Sequence, residues 1–186
     1  MPRRREQVLD AAIEVMATEG LRGLTFQAVD KAASVPAGTA SNSFRTRNAL
    51  LLGIVTHLVD LDERDWRAVG GILQPTTPEA LIETMSGVIR HALGPGRSRT
   101  TARYALFLEA ATNPDLRAPL TAARQTITTW ITPWLQSLGS PAPAAHCHIL
   151  LDHTDGAILH QITWPDPDYN PTPGIRALVT GLLGHP

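Results

Sequence analysis

The sequence predicts an all-α fold, and three observations carry that prediction. Apolar residues recur every three to four positions along most of the chain, Pro and Gly fall between those periodic stretches, and no alternating strand pattern survives. About nine helices follow: a three-helix N-terminal head containing a helix–turn–helix, then a larger helical domain. At 186 residues, with 43% hydrophobic and 18% charged side chains, the chain can bury a real core in one ordinary domain plus a small one.

From Arg5 to Thr18, Val8, Leu9, Ala12, Ile13 and Met16 repeat at helical spacing, and Gly20 stops this first helix. Thr25 is suited to cap a second helix in which Phe26, Val29 and Ala33 share one face. Ser34–Gly38 forms a turn, and Thr39–Phe44 a short third helix anchored by Phe44. Thr46 caps a fourth helix whose buried stripe is Leu50, Leu51, Ile54, Val55, Leu58 and Leu61. After Trp66 the pattern breaks at Gly70, Gly71, Pro75 and Pro78. Further helices are predicted over 78–93, 98–112, 115–138, 143–163 and 173–184, with breaks near Pro95, Pro114, Pro141 and Pro165. Pro133 falls inside one of them, where an interior proline costs ~3 kcal/mol unless the helix bends, so a kink between Trp130 and Trp134 is expected.

The net charge of −1 gives no global attraction to a polyanion, so nucleic-acid contact has to come from a local cluster. Arg3, Arg4, Arg5, Arg22, Lys31, Arg45 and Arg47 all lie in the first quarter, interleaved with acids. The single Cys147 excludes an intrachain disulfide and fits a reducing compartment. No apolar run is long enough for a signal core or a membrane span, so the expected location is cytoplasmic, with no membrane partner.

The third helix has little to bury, because it is built of Thr, Ser and Asn around one anchor. Its side chains are short enough to lie against a groove of double-stranded DNA. Thr39, Ser41 and Asn42 can donate or accept at base edges, and Asn opposite adenine is the most specific pairing among them. Pro36 and Ala37 can touch a thymine methyl, while Thr25, Arg45 and Arg47 are placed near phosphates, which fix register without reading sequence. Gly38 and Ser43 complete the DNA-facing set, and Arg3, Arg4 and Arg5 form a candidate arm into the flanking groove.

These residues resemble the DNA-binding end of the TetR family of bacterial repressors. The resemblance rests on Thr25, Val35, Gly38, Phe44, Thr46-Arg47 and Leu50-Leu51 at fixed spacing, and covers about residues 5–58; the segment 103–120 also resembles regulatory-domain segments of actinobacterial members. Departures are Ser34 at a position usually Gly, with strain of ~1 kcal/mol if the site is left-handed, and Asp30 at a usually small packing position. Asp30 is expected to be satisfied by a nearby Arg or by a backbone amide, the alternative being a slight splaying of the two helices. Ser41 and Ser43 stand where the family places aromatic or His side chains that touch phosphates.

The resemblance implies a DNA-binding domain at 1–46 and a ligand-binding and dimerisation domain at 47–186, joined by the helix from 47 to about 68. It also implies a homodimer on a palindromic operator, since one helix–turn–helix reads few base pairs. Interface candidates are Ile149, Gly156, Ala157, Leu159, His160 and Thr163, with Ile175, Leu178, Val179 and Leu182 of the last helix; the alternative is that both stripes face the domain's own core. A small apolar or aromatic effector is expected among Met85, Ile89, Phe107, Leu108, Ala111, Trp130, Ile131 and Trp134, oriented by Asp152 or His153. Effector binding would tilt the fourth helix, through Leu58 and Leu61, and release the operator.

Two other functions compete with this one. His146, Cys147, His148, Asp152 and His153 cluster in sequence, and His148 with Asp152 has the i, i+4 spacing of two ligands on one helix face, so a metal-responsive regulator using His148, Asp152 and His153 is the alternative. A helical enzyme is the weaker one, because no nucleophile elbow, phosphate-cradling loop or HExxH pattern occurs. Neither a catalytic residue nor a cofactor is expected.

Overall fold

The computed structural model describes residues 2–70 and 74–184, with the side chains of residues 2, 3 and 66–70 left aside. Among the described residues there are nine α-helices and no strand: α1 Pro2–Gly23, α2 Phe26–Ala32, α3 Thr39–Ser43, α4 Arg47–Gly70, α5 Pro78–Leu93, α6 Arg97–Glu109, α7 Arg117–Ser137, α8 Pro143–Thr163 and α9 Thr172–Leu183. One 3-10 turn, Pro114–Leu116, precedes α7.

Local chemistry sets these boundaries. Gly20 breaks α1 at φ 69°, ψ −176°, before a last turn that ends at Gly23. Hydroxyl oxygens cap three helices by accepting from the first turn: Thr25 from the Ala28 N–H (3.1 Å), Thr46 from Ala49 (3.0 Å) and Thr77 from Ala80 (3.1 Å). Pro78 opens α5, where its missing N–H costs nothing. α7 is continuous through Pro133.

The chain divides into two compact units. The first comprises Met1–Asp65 and Gly96–Ala123. Its core joins Val8, Ala12 and Met16 of α1 to Leu24, Val29, Phe44, the α4 stripe from Leu50 to Leu58, and Ala102, Leu106 and Leu116. The packing unit is therefore larger than the helix–turn–helix segment 1–46. It includes α6, whose buried Ala102 and Leu106, with Ala110 just after it, are part of the same apolar cluster. Polar ties fasten α6 as well: Ser98 donates to Glu14 (2.9 Å), Arg99 pairs with Asp65 (2.9 Å), and one Arg103 nitrogen donates to both Asp62 oxygens (2.7 and 2.6 Å). α4 approaches Phe44 closely at Gly53, where an added Cβ would lie 2.5 Å from the ring.

The second unit comprises Trp66–Pro95 and Arg124–Pro186. In it α5 packs on α8 and α9. Leu81, Ile82, Met85 and Ile89 of α5 are buried, as are Leu135 of α7, Leu150 and Ile158 of α8, and Ile175, Val179 and Leu183 of α9.

Candidate nucleic-acid interface

The geometry of α3 is set by the turn before it. Ser34 adopts φ 52°, the left-handed conformation the family's Gly would take freely, and Gly38 takes φ 88° just before α3. Between them, Asp30 resolves its own question: it is 5% exposed, and its carboxylate accepts from the Gly38 N–H and the Ala40 N–H, each at 2.7 Å. Backbone amides, not an arginine, satisfy it. Two of the N–H groups that a helix start leaves without an intrahelical partner are thereby answered from inside the fold. From α1, Gln7 Nε2 donates to the Ala33 carbonyl (2.8 Å) and holds the other end of the turn.

Of the predicted DNA-facing residues, Thr25, Pro36, Ala37, Asn42, Ser43, Arg45 and Arg47 are exposed, and Gly38, Thr39 and Ser41 are half-buried. Phe44 is 2% exposed, so it anchors α3 from below. The three hydroxyls are already engaged. Thr39 Oγ1 donates to the Pro36 carbonyl (2.6 Å), Ser41 Oγ to Gly38 (3.1 Å) and Ser43 Oγ to Thr39 (2.9 Å).

Two basic predictions change. Arg4 and Arg5 belong to α1, so within the described residues they form no extended arm; the side chain of Arg3 lies outside those residues. Arg5 instead lays its guanidinium over the Phe44 ring, 4.8 Å from its centroid. Arg47 is not simply a phosphate cation. Its two terminal nitrogens donate to the Leu21 and Leu24 carbonyls, binding the start of α4 to the end of α1. No periodicity signals this clamp, because its partners lie 26 and 23 positions away. Asn48 makes a second tie that the pattern hides, donating to Asp115 (2.7 Å) and accepting from Asn113 (2.8 Å).

The predicted effector residues fall in different units. Met85, Ile89 and Ile131 are buried in the second unit with Trp134, and Trp130 is half-buried there. Phe107, Leu108 and Ala111 belong to the first unit and are exposed, Leu108 at 76%, so they wall no enclosed site there. Phe107 packs edge-on against Tyr104 (5.6 Å). Asp152 is engaged with Arg124 (2.5 Å), which also donates to Asp155 (2.7 Å). The His153 ring stands beside Gly174 of α9, its Nε2 3.5 Å from where a Cβ would be.

The candidate metal ligands are not brought together in this arrangement. Among the described residues no three His, Cys, Asp or Glu side chains converge on a metal position. His146 is hydrogen-bonded to Ser140 (2.8 Å), His148 is exposed, and Cys147 is buried, where burial pushes its thiol up and disfavours the thiolate a metal needs.

Of the predicted interface residues, Ile175 and Val179 are 0% exposed within the single chain and so belong to the unit's own core. A partner cannot cover area that is already buried. Ile149 (44%) and Leu159 (43%) do face outward on α8, with Gly156, His160 and Thr163 exposed beside them; Ala157 is half-buried, as are Leu178 and Leu182 on α9. Trp164, which sequence reading passed over, is 67% exposed and stacks edge-on with His160.

The chain's likeness to known proteins agrees with this geometry. The model of bacterial regulatory proteins of the tetR family matches residues 8–54, and that of the tetracyclin repressor-like C-terminal domain matches residues 76–185. No curated protein matches the chain. Among solved structures, a transcriptional regulator from Rhodococcus sp. Rha1 is 26% identical over 97% of this chain and 96% of its own, with a TM-score of 0.82. The multidrug binding protein EbrR is 26% identical both in complex with imidazole (100% and 93% covered, TM-score 0.71) and in complex with proflavin (96% and 99%, TM-score 0.66). A helix–turn–helix whose short α3 is held by Asp30 and Phe44, and family models spanning both the head and most of the remaining chain, lead to one conclusion: the chain belongs to the TetR family of DNA-binding transcriptional regulators.

Proposed function

We propose that this regulator represses transcription by binding a palindromic operator as a homodimer and leaves it when a small apolar or aromatic effector binds. The observation that carries the DNA role is α3 itself: a helix with no large apolar outer face, fixed from behind by Asp30 and Phe44, with Thr39, Asn42 and Ser43 on one side at i, i+3, i+4 spacing. In this reading residues 1–46 carry the reading surface and residues 47–186 the effector and dimer functions, with α4 as the connection. Arg45 and Lys31, both exposed, grip phosphates. No catalysis is assigned. Among the described residues no helix is long and apolar enough to cross a membrane, which accords with action in the cytoplasm.

The dimer contact in this proposal is the outward face of α8 and α9: Ile149, Gly156, Leu159, Thr163, Leu178 and Leu182. An added Cβ at Gly156 or Gly181 would meet nothing within 4 Å, so a partner helix can approach there. Buried Met85, Ile89, Ile131 and Trp134 supply an apolar setting for the effector, and the proflavin complex of EbrR makes a planar aromatic cation the first probe. The switch runs through α4, where Leu58 is buried and Leu61 packs beside it. Release requires only that the effector bind the two conformers unequally; a 100-fold preference is ~2.7 kcal/mol.

Selection of bound sequences from a random duplex pool tests the proposal. Enrichment of an inverted repeat is expected, and proflavin should weaken binding to the selected site while changing tryptophan emission. A pool that stays random after repeated rounds would overturn the operator reading.

A further inference from the structure

We propose that α3 reads the major groove as a hydrogen-bond acceptor: the hydroxyls of Thr39, Ser41 and Ser43 accept from exocyclic amino groups, adenine N6 or cytosine N4, and Asn42 alone brings a side-chain donor. The inference rests on the operator reading above and says what that operator must present.

The direction of the hydroxyl protons follows from their partners. Each hydroxyl lies within hydrogen-bond distance of a backbone carbonyl: Thr39 of Pro36 (2.6 Å), Ser41 of Gly38 (3.1 Å), Ser43 of Thr39 (2.9 Å). A carbonyl oxygen carries no proton, so the hydroxyl is the donor in all three. A hydroxyl has one proton and two acceptor positions, and these three protons are taken by backbone carbonyls three or four residues earlier. What remains on the outside is lone pairs. Donors inside the same helix are withdrawn as well, because Asp30 accepts the Gly38 and Ala40 N–H groups. Asn42 differs: it is exposed, its amide makes no hydrogen bond among the described residues, and it carries both a carbonyl and an NH₂.

The major groove distinguishes the two cases. Guanine offers O6 and N7, both acceptors, whereas cytosine N4 and adenine N6 are donors. Phosphate oxygens are acceptors too. An acceptor-bearing helix therefore gains nothing from guanine edges or phosphates through its hydroxyls, and it discriminates by where the amino groups fall along the groove. Asn42 matches adenine, donating to N7 and accepting from N6. Turning one hydroxyl outward to donate would break its internal bond, at a penalty of about five-fold in affinity per hydroxyl.

The experiment uses the full-length protein and the operator recovered by selection, with single bases replaced by analogues. Purine in place of adenine, or pyrimidin-2-one in place of cytosine, deletes an amino group; 7-deazapurines delete the N7 acceptor. Affinity is measured for the unmodified protein and for Thr39→Val, Ser41→Ala and Ser43→Ala, with Thr39→Ser as the conservative variant that keeps a hydroxyl. Deleting the amino group opposite each hydroxyl is expected to weaken the unmodified protein roughly five- to ten-fold and the matching variant not at all, with Thr39→Ser behaving as unmodified. Coupling of the hydroxyls to the N7 deletions, or to no analogue, would overturn the acceptor assignment while leaving operator binding intact. Failure to recover any operator would remove both readings together.

Discussion

In the unit that contains α1 to α3, several polar groups are answered from other elements of the fold. Asp30 takes two amides of the α3 start, His57 at 5% exposure faces Asp10 at 2.7 Å, and Arg47 ties together the ends of α4 and α1. In the unit formed by residues 66–95 and 124–186, the buried surface is mostly aliphatic, and Ser86 Oγ is fully enclosed with no hydrogen-bond partner among the described residues. Thr84 and Thr154 of the same unit show the usual solution, each donating to the carbonyl four residues back (2.8 Å in both). Directional bonds fix positions; apolar packing tolerates small rearrangements as long as volume is kept. A surface that must hold a fixed pattern of polar groups needs the first property.

Removing Asp30 tests this contrast most severely. Asp30→Ala leaves two amide donors unanswered in a buried turn, and a loss of about 3 kcal/mol is expected on chemical denaturation, from about 1.5 kcal/mol or more per charged hydrogen bond. Operator affinity should fall with it, and Asp30→Asn, which keeps one acceptor, should lose less. Equal stability of Asp30→Ala and the unmodified protein would show that the turn does not depend on this carboxylate.

Ser86→Ala sharpens the contrast because its sign is opposite. Deleting an enclosed hydroxyl without a partner removes a desolvation penalty, so a gain of about 1 kcal/mol is expected in the same assay. A loss instead would mean that the hydroxyl is bonded in solution and that the second unit is as polar in its needs as the first.

The smallest effect concerns Asp62. Burial pushes its carboxyl above the ordinary value of 3.8, outweighing the charge and hydrogen bond of Arg103, which pull it down. The folded form then holds its proton to higher pH than the unfolded chain does. The associated stability is present below pH 3.8 and declines as pH rises through the raised folded value. Measured against Asp62→Asn, the stability of the unmodified protein should thus be relatively greater in acid than at neutral pH. The reverse trend would place the Arg103 pair above burial as the dominant influence.

Helix order was legible from the residues because periodicity, proline and capping threonines act within a few positions. The segments 78–93 and 143–163 coincide with α5 and α8, and Thr25, Thr46 and Phe44 play the parts their chemistry indicates. The short helix α3 was legible for the same reason, since a run of Thr, Ser and Asn has nothing to bury. Less visible was what each polar group does once folded. Arg47 looked like a phosphate cation but also binds two carbonyls, and Arg4 and Arg5 looked like part of an arm but stand in α1, because charge in a sequence carries no direction.

Local sequence thus determined the helices, the turn and the composition of the reading surface, all consequences of interactions three or four residues apart. Tertiary structure alone decided that Asp30 caps α3, that Arg47 clamps α1, that Ile175 and Val179 are core and Ile149 and Leu159 are surface, and that α6 belongs with the head. Those choices depend on which helix faces meet across long loops. An apolar stripe or a charged side chain has the same pattern in sequence whether its partner is solvent, another helix or a second chain.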